Sequence, residues 1–306
     1  MRNDFWMKSQ GGGKLHYCRW DPAGEPKAVM QIVHGIAEHV ERYDDFANFL
    51  TDHGFVVIAE DHMGHGGSVQ SGDPLGYFAG GWFTAVEDTY TLLTQTQAEF
   101  PGLPYILFGH SMGSFMTRTI LCKHPDSGIS AAIICGTGWQ PTFALPVMEK
   151  AAELLCKKDG EKNPSPTMEK LAFGSYNKKV EHPRTTYDWL TRDNKIVDAY
   201  IADPKCGFTA TAGLYRDLLQ GIAYNQKPDS LCSMKKDLPI FFISGGEDPV
   251  GDYGKGVRKA VEAFRKAGMT DVKEKLYPLC RHEILNEINK QEVYDDVLSW
   301  ITGKVL

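Results

Sequence analysis

The sequence has no C-x-x-C pair, no run of basic residues and no long apolar stretch, and it opens without an apolar leader. Each absence excludes a class of protein. The seven cysteines (18, 122, 135, 156, 206, 232 and 280) are odd in number and scattered, which argues against a disulfide framework and for reduced thiols in a cytoplasmic protein. Lys+Arg 33 against Asp+Glu 39 leaves a net charge of −6. With no cationic patch to neutralise phosphates, no nucleic-acid partner is expected. The longest apolar runs, such as Ala131–Cys135, fall far short of the roughly 20 residues that span a bilayer. Met1-Arg2-Asn3-Asp4-Phe5-Trp6 carries no apolar core of a secretory signal. What is present is an ordinary globular composition, 42% apolar and 24% charged, over 306 residues. At roughly 150 residues per domain, that length fits two units or one large α/β domain with an insertion.

Short β-rich runs alternate with helical patterns in the first half, predicting βα units and a mostly parallel sheet. Two runs, 5–9 and 14–20, flank Gly11-Gly12-Gly13 as an opening hairpin. Buried strands are expected at 28–33, 55–59, 105–108 and 131–135. Between them, helices are read at Phe46/Phe49/Leu50 (ending near Gly54), at 84–100 and at 112–123. After Gly138 the strand pattern stops until 240–243 and 272–277, each followed by a helix, 257–266 and 293–301. The expected division is a core of 1–138 and 233–306, interrupted by a helical cap over 139–232. Along the start of that cap, Ala144, Val147, Met148, Ala151 and Leu155 trace one apolar stripe.

The strongest local signal is Gly109-His110-Ser111-Met112-Gly113, a G-x-S-x-G that follows a buried strand and opens a helix. A serine hydroxyl is a poor nucleophile, so a fold that uses one must expose it, align it with a base and supply donors to the oxyanion. A tight strand-to-helix turn exposes Ser111 and places the Met112 amide at a helix start. A carboxylate and a base are then expected later in the chain, each beyond a strand end. Asp248, in Gly246-Glu247-Asp248-Pro249, and His282, in Cys280-Arg281-His282-Glu283, meet that requirement; Glu247 competes with Asp248. The second oxyanion donor is expected from the loop after the 28–33 strand, at the amide of Ile36. The histidines at 34, 39, 62 and 65 lack a helical H-E-x-x-H or a cysteine partner, so loop histidines bonded to backbone are expected and no metal or cofactor is.

H-G-I-A-E-H-V-E-R-Y, D-H-M-G-H-G-G-S and G-H-S-M-G at these separations resemble the monoacylglycerol lipase and lysophospholipase branch of the α/β hydrolases, in its bacterial, serine aminopeptidase S33-like form. S-G-G-E-D-P-V-G and Y-P-L-C-R-H-E-I-L-N-E near the end resemble the same branch, and the likeness runs through Tyr187–Asp193 and Asp203–Phe208 of the insertion. The resemblance implies an α/β-hydrolase fold, an eight-stranded mostly parallel sheet with helices on both faces and a helical cap. It implies Ser111, Asp248 and His282 as a triad and the amides of Ile36 and Met112 as the oxyanion hole. It also implies Glu38 and Arg42 at the polar end of a substrate pocket; a surface ion pair is the other reading of these two. Two departures from the animal enzymes stand out: Ile36 replaces a small residue, and Glu283-Ile284-Leu285 follows His282 where they place another histidine three residues on.

An acyl chain needs a water-excluding pocket. Phe143, Leu145 and Met148 at the start of the cap are expected to line it, unless they pack the cap's own core. The expected reaction is hydrolysis of an acyl ester on a single-chain lipid through an acyl-serine. The alternative is a carboxylesterase, thioesterase or aminopeptidase-like enzyme of small non-lipid substrates. The expected partner is a small-molecule acyl ester, with transient contact between the lid and a membrane or micelle surface.

Overall fold

The computed structural model describes residues 2–306. Eight strands, β1 (Arg2–Lys8), β2 (Lys14–Trp20), β3 (Ala28–Val33), β4 (Phe55–Glu60), β5 (Tyr105–His110), β6 (Ala131–Cys135), β7 (Ile240–Gly245) and β8 (Val272–Tyr277), form one sheet in the order β1-β2-β4-β3-β5-β6-β7-β8. The β1–β2 and β2–β4 pairs are antiparallel and the remaining pairs parallel. β3 to β7 are buried along their whole length, as a sheet covered on both faces requires. Their residues alternate between two cores: Tyr105 and Leu107 of β5 face one, Ile106 and Phe108 the other.

On one face lie α1 (Asp44–Asp52) and α10 (Lys290–Val305); on the other lie α2 (Gly81–Glu99), α3 (Met112–Lys123) and α9 (Lys255–Lys266). The helical period decides which residues go inward. In α9, Val257, Ala260, Val261 and Phe264 are buried while its lysines, arginines and glutamate stay outside. Burying a side chain the size of Phe264 contributes about 2–3 kcal/mol.

Between β6 and β7 the chain is helical: α4 (Leu145–Asp159), α5 (Pro166–Phe173), α6 (Asn194–Ala202), α7 (Ala212–Asn225) and α8 (Pro228–Ser233). Among the described residues no β-strand lies there, only an isolated bridge between Pro164 and Thr211. The 139–232 segment is not one layer. α7 packs on α2 and α3, and α8 on α3. Asn225 of α7 is pinned to α3 by accepting from the Thr119 hydroxyl (3.0 Å) and donating to the Phe115 carbonyl (2.8 Å). The apolar stripe read along α4 is also displaced. Leu145 and Ala152 are its buried residues, turned toward α7, while Val147, Met148 and Ala151 are exposed. Among the described residues no helix is long and apolar enough to cross a membrane.

Candidate active site

Ser111 occupies the single residue between β5 and α3, with φ 54° and ψ −119°. Such a backbone costs an L-residue roughly 1–3 kcal/mol and persists only where neighbours hold it. They do: the Ser111 amide donates to the Cys135 carbonyl (3.0 Å), and the Ser111 carbonyl accepts from the amide and hydroxyl of Ser114. The turn also needs bare backbone around it. A Cβ on Gly113 would sit 2.0 Å from the Val33 carbonyl oxygen, and one on Gly35 would sit 3.1 Å from the Ser111 Cβ. Gly113 therefore lets α3 start against the end of β3, and Gly35 lets the β3 loop, with Ile36, pass beside the serine. Met112 begins α3, so its amide lies at the positive end of a helix.

His282 and Asp248 come from the loops after β8 and β7. His282 Nδ1 lies 3.0 Å from Asp248 Oδ1, and both residues are buried. A carboxylate only accepts, so Nδ1 carries the proton and Nε2 is left as the basic nitrogen. Asp248 also accepts from the Val250 amide (2.9 Å) and the Ser244 hydroxyl (3.0 Å). Burial works to raise its carboxyl, yet the charge and hydrogen bond of His282, with these two donors, hold it below the usual carboxylate range. Glu247 points to solvent.

Behind the serine is a buried charge network. Arg42 donates through Nη1 to Glu38 Oε2 (2.7 Å) and Glu283 Oε1 (2.6 Å), and through Nη2 to Glu283 Oε2 (2.6 Å). Glu38 Oε1 accepts from the Gly35 amide (2.6 Å) and the Tyr43 hydroxyl (2.9 Å), and His110 Nδ1 lies 3.2 Å away. Burial opposes the charged form of every member. The His110 hydrogen bond and Arg42 nonetheless hold Glu38 well below its usual value, and Arg42 lowers Glu283. Burial likewise opposes the charged forms of Arg42 and His110, but their carboxylate partners raise both. His34 and His65, by contrast, are pushed down by burial, His65 to about 4. As expected of loop histidines, His34, His62 and His65 bond to backbone; His39 departs from that expectation, its Nε2 lying 2.8 Å from Asp203 Oδ2 with Cys206 nearby.

A cavity of about 620 Å³ opens onto Ser111 and His282, with Ile36 and Glu38 at its floor. Its walls are aromatic: Phe173, Tyr187, Trp189, Tyr200 and Phe208. Trp189 sits with its ring 5.2 Å from that of His282, and Phe173 stacks on Trp189. Glu169, Lys170 and Asn177 line it with polar groups. Two His/Asp/Cys groupings, Asp4-His16-Cys18 and His39-Asp203-Cys206, contain no residue that lines this cavity.

Residues 24–289 match the family model described as "Serine aminopeptidase, S33". The chain is 30% identical to a monoacylglycerol lipase of Mycolicibacterium smegmatis, over 99% of this chain and 98% of that one. It is 27% identical to a monoglyceride lipase of Mus musculus, over 96% and 88% of the two chains. A thermostable carboxyl esterase from Bacillus coagulans, solved in complex with glycerol, superposes with a TM-score of 0.92 at 30% identity, over 100% of this chain and 99% of that one. The chain belongs to the serine aminopeptidase S33 family. Its fold is the α/β-hydrolase fold, with the sheet, the helices on both faces and the helical insertion that the sequence resemblance implied.

Within this S33 hydrolase the structure brings Ser111, His282, Ile36 and Glu38 to one cavity, with Asp248 on His282. Arg42 does not line it, so of the two residues expected at the pocket only Glu38 reaches the cavity, and the surface pair does not hold. The pair is an ion pair, but a buried one that faces inward to Glu283. Phe143, Leu145 and Met148 are a correction: none of them lines the cavity. Leu145 is buried in the core, Met148 is exposed and Phe143 is 85% exposed, because α4 turns its Leu145–Ala152 face toward α7. The apolar wall instead comes from residues 173–208, whose signal was the aromatic density around Tyr187-Asp188-Trp189 and Phe208. Glu283 and His110 went unread, since their partner Glu38–Arg42 is visible only once the loops after β3 and β8 are side by side.

Proposed function

We propose that this hydrolase cleaves the acyl ester of a single-chain lipid, a monoacylglycerol or a lysophospholipid, at Ser111. The observation that carries the reading is a buried His282–Asp248 pair opening, with a strained serine, into one aromatic-walled cavity. His282 Nε2 takes the Ser111 proton as Oγ bonds to the ester carbonyl carbon, and the carbonyl oxygen becomes an oxyanion facing the amides of Ile36 and Met112. Collapse breaks the bond to the alcohol oxygen, which leaves with the proton from His282. Water then repeats the sequence on the acyl-serine and releases the fatty acid. Asp248 keeps Nδ1 protonated and steadies the imidazolium formed in each half.

The ester reading gains from the likeness to the M. smegmatis and mouse lipases and from the glycerol held by the B. coagulans esterase. An aminopeptidase would need a carboxylate for the substrate ammonium; of the cavity-lining carboxylates Glu38 and Glu283 are committed to Arg42, and Glu169, which accepts from the Thr209 hydroxyl, is the one that such a reading would have to use. We place the lid in the insertion up to α7. The face that α4 turns to solvent, with Phe143 and Val147, is where this reading puts contact with aggregated lipid. A panel of monoacylglycerols, lysophospholipids and p-nitrophenyl esters of graded chain length tests the assignment. Greater kcat/KM on long-chain monoesters of glycerol or glycerophosphate is expected, and turnover confined to acetyl or butyryl esters would overturn it.

A further inference from the structure

The base, His282, is followed directly by a buried carboxylate whose two oxygens take both arms of one guanidinium. Glu283 Oε1 and Oε2 accept from Arg42 at 2.6 Å each, and Oε2 also accepts from Asn286 Nδ2 at 3.1 Å. Arg42 in turn holds Glu38, whose other oxygen takes the amide of Gly35 in the oxyanion loop. The guanidinium lies 4.8 Å from the centre of the Tyr200 ring, and the Tyr200 hydroxyl donates to the Ala37 carbonyl of the same loop (2.9 Å). Arg42 therefore joins the loop carrying the base, the loop carrying an oxyanion donor, and α6. A second strut runs parallel: His110 lies between Glu38 Oε1 and the His282 carbonyl, Nε2 being 3.4 Å from the latter.

Against apolar groups of the same shape a buried pair of this kind adds little net stability, since desolvating the charges offsets their attraction, although breaking one partner leaves a buried charge unpaired. What a bidentate fork does supply is fixed geometry. We propose that Glu283, through Arg42, is a positioning residue that sets His282 against the oxyanion loop. The proposal rests on the ester-hydrolase reading above. Glu283 touches neither the reacting atoms nor the triad side chains, and its effect falls on the transition state, where sub-ångström alignment of base and oxyanion donor counts.

The test is Glu283→Gln, which keeps shape and removes charge, beside Arg42→Lys, which keeps charge and removes the fork. The expected result on a p-nitrophenyl ester is a kcat lower by about 10- to 100-fold with KM little changed. The double variant should be no slower than the worse single one. In 1H NMR the far-downfield Nδ1–H signal of His282 should shift or broaden in Glu283→Gln, in protein that circular dichroism shows to be folded below its own, lowered melting temperature. An unchanged kcat and an unchanged downfield signal would overturn the proposal. So would a raised KM at constant kcat, which would make the pair a substrate contact, or loss of fold in both variants, which would make it purely structural. If wild type hydrolyses no ester, the function reading fails on its own, and the downfield signal, read without substrate, still decides the clamp.

Discussion

The two sides of the cavity are built on different terms. On the core side, Ser111, Asp248 and His282 follow the carboxyl ends of β5, β7 and β8, and the buried polar groups around Asp248 and Glu38 are held by named partners. On the insertion side, aromatic rings from residues 173–208 stack on one another, and the start of the insertion leaves Phe143 and Val147 in solvent. The difference teaches where precision resides. In the proposed mechanism the chemistry sits on parallel-sheet geometry, which strand register dictates, whereas substrate choice would fall to the cavity wall, of which Phe173 touches no member of the triad.

That contrast can be broken first at its rigid side. Asp248→Asn should lower kcat about ten-thousand-fold, by leaving His282 in the wrong tautomer, with the fold retained. A loss of only a few-fold in steady-state assays would give the carboxylate role to another residue. On the insertion side, Phe173→Ala or Trp189→Ala should shift the ratio of long- to short-chain kcat/KM by about ten-fold. Phe143→Ala and Val147→Ala should leave that ratio on monomeric substrates unaltered, within about two-fold. If the Phe143/Val147 pair moved the ratio and the Phe173/Trp189 pair did not, the cavity wall would be misassigned.

Much of the rigid side was legible in the sequence because it is local. Helix α3 begins and ends as the pattern after G-H-S-M-G predicts, and β3, β6 and β8 fall where apolar runs end in loop chemistry. The order Ser, Asp, His followed from the order of strand ends. The insertion resisted the same reading because a helix there has several apolar surfaces to choose among. α4 buries Leu145 and Ala152 instead of the Val147–Met148–Ala151 stripe because α7 lies on that side, and nothing within residues 144–155 records where α7 will be. Glu283 failed to stand out for a related reason: its partner Arg42 is 241 residues away.

Two smaller effects sharpen the account of the rigid side. Glu38, Glu283 and Asp248 are all depressed in the folded state, so the stability they contribute is present above the ordinary carboxylate range and is lost as pH falls through their lower folded values. Melting temperature should therefore drop steeply below about pH 4; a flat profile from about pH 5 down to about pH 3 would contradict the buried charge network. Smallest of all, Ser111→Gly should abolish activity yet gain about 1 kcal/mol in urea unfolding, by releasing the φ 54° strain. A loss of stability would mean the turn is not strained.

The most direct test of the central claim is mass-spectrometric mapping of a fluorophosphonate adduct on the intact protein. The account predicts stoichiometric modification of Ser111, abolished in Ser111→Ala and strongly slowed in His282→Ala. Modification at any other residue, or an unlabelled wild type with its fold intact, would contradict it.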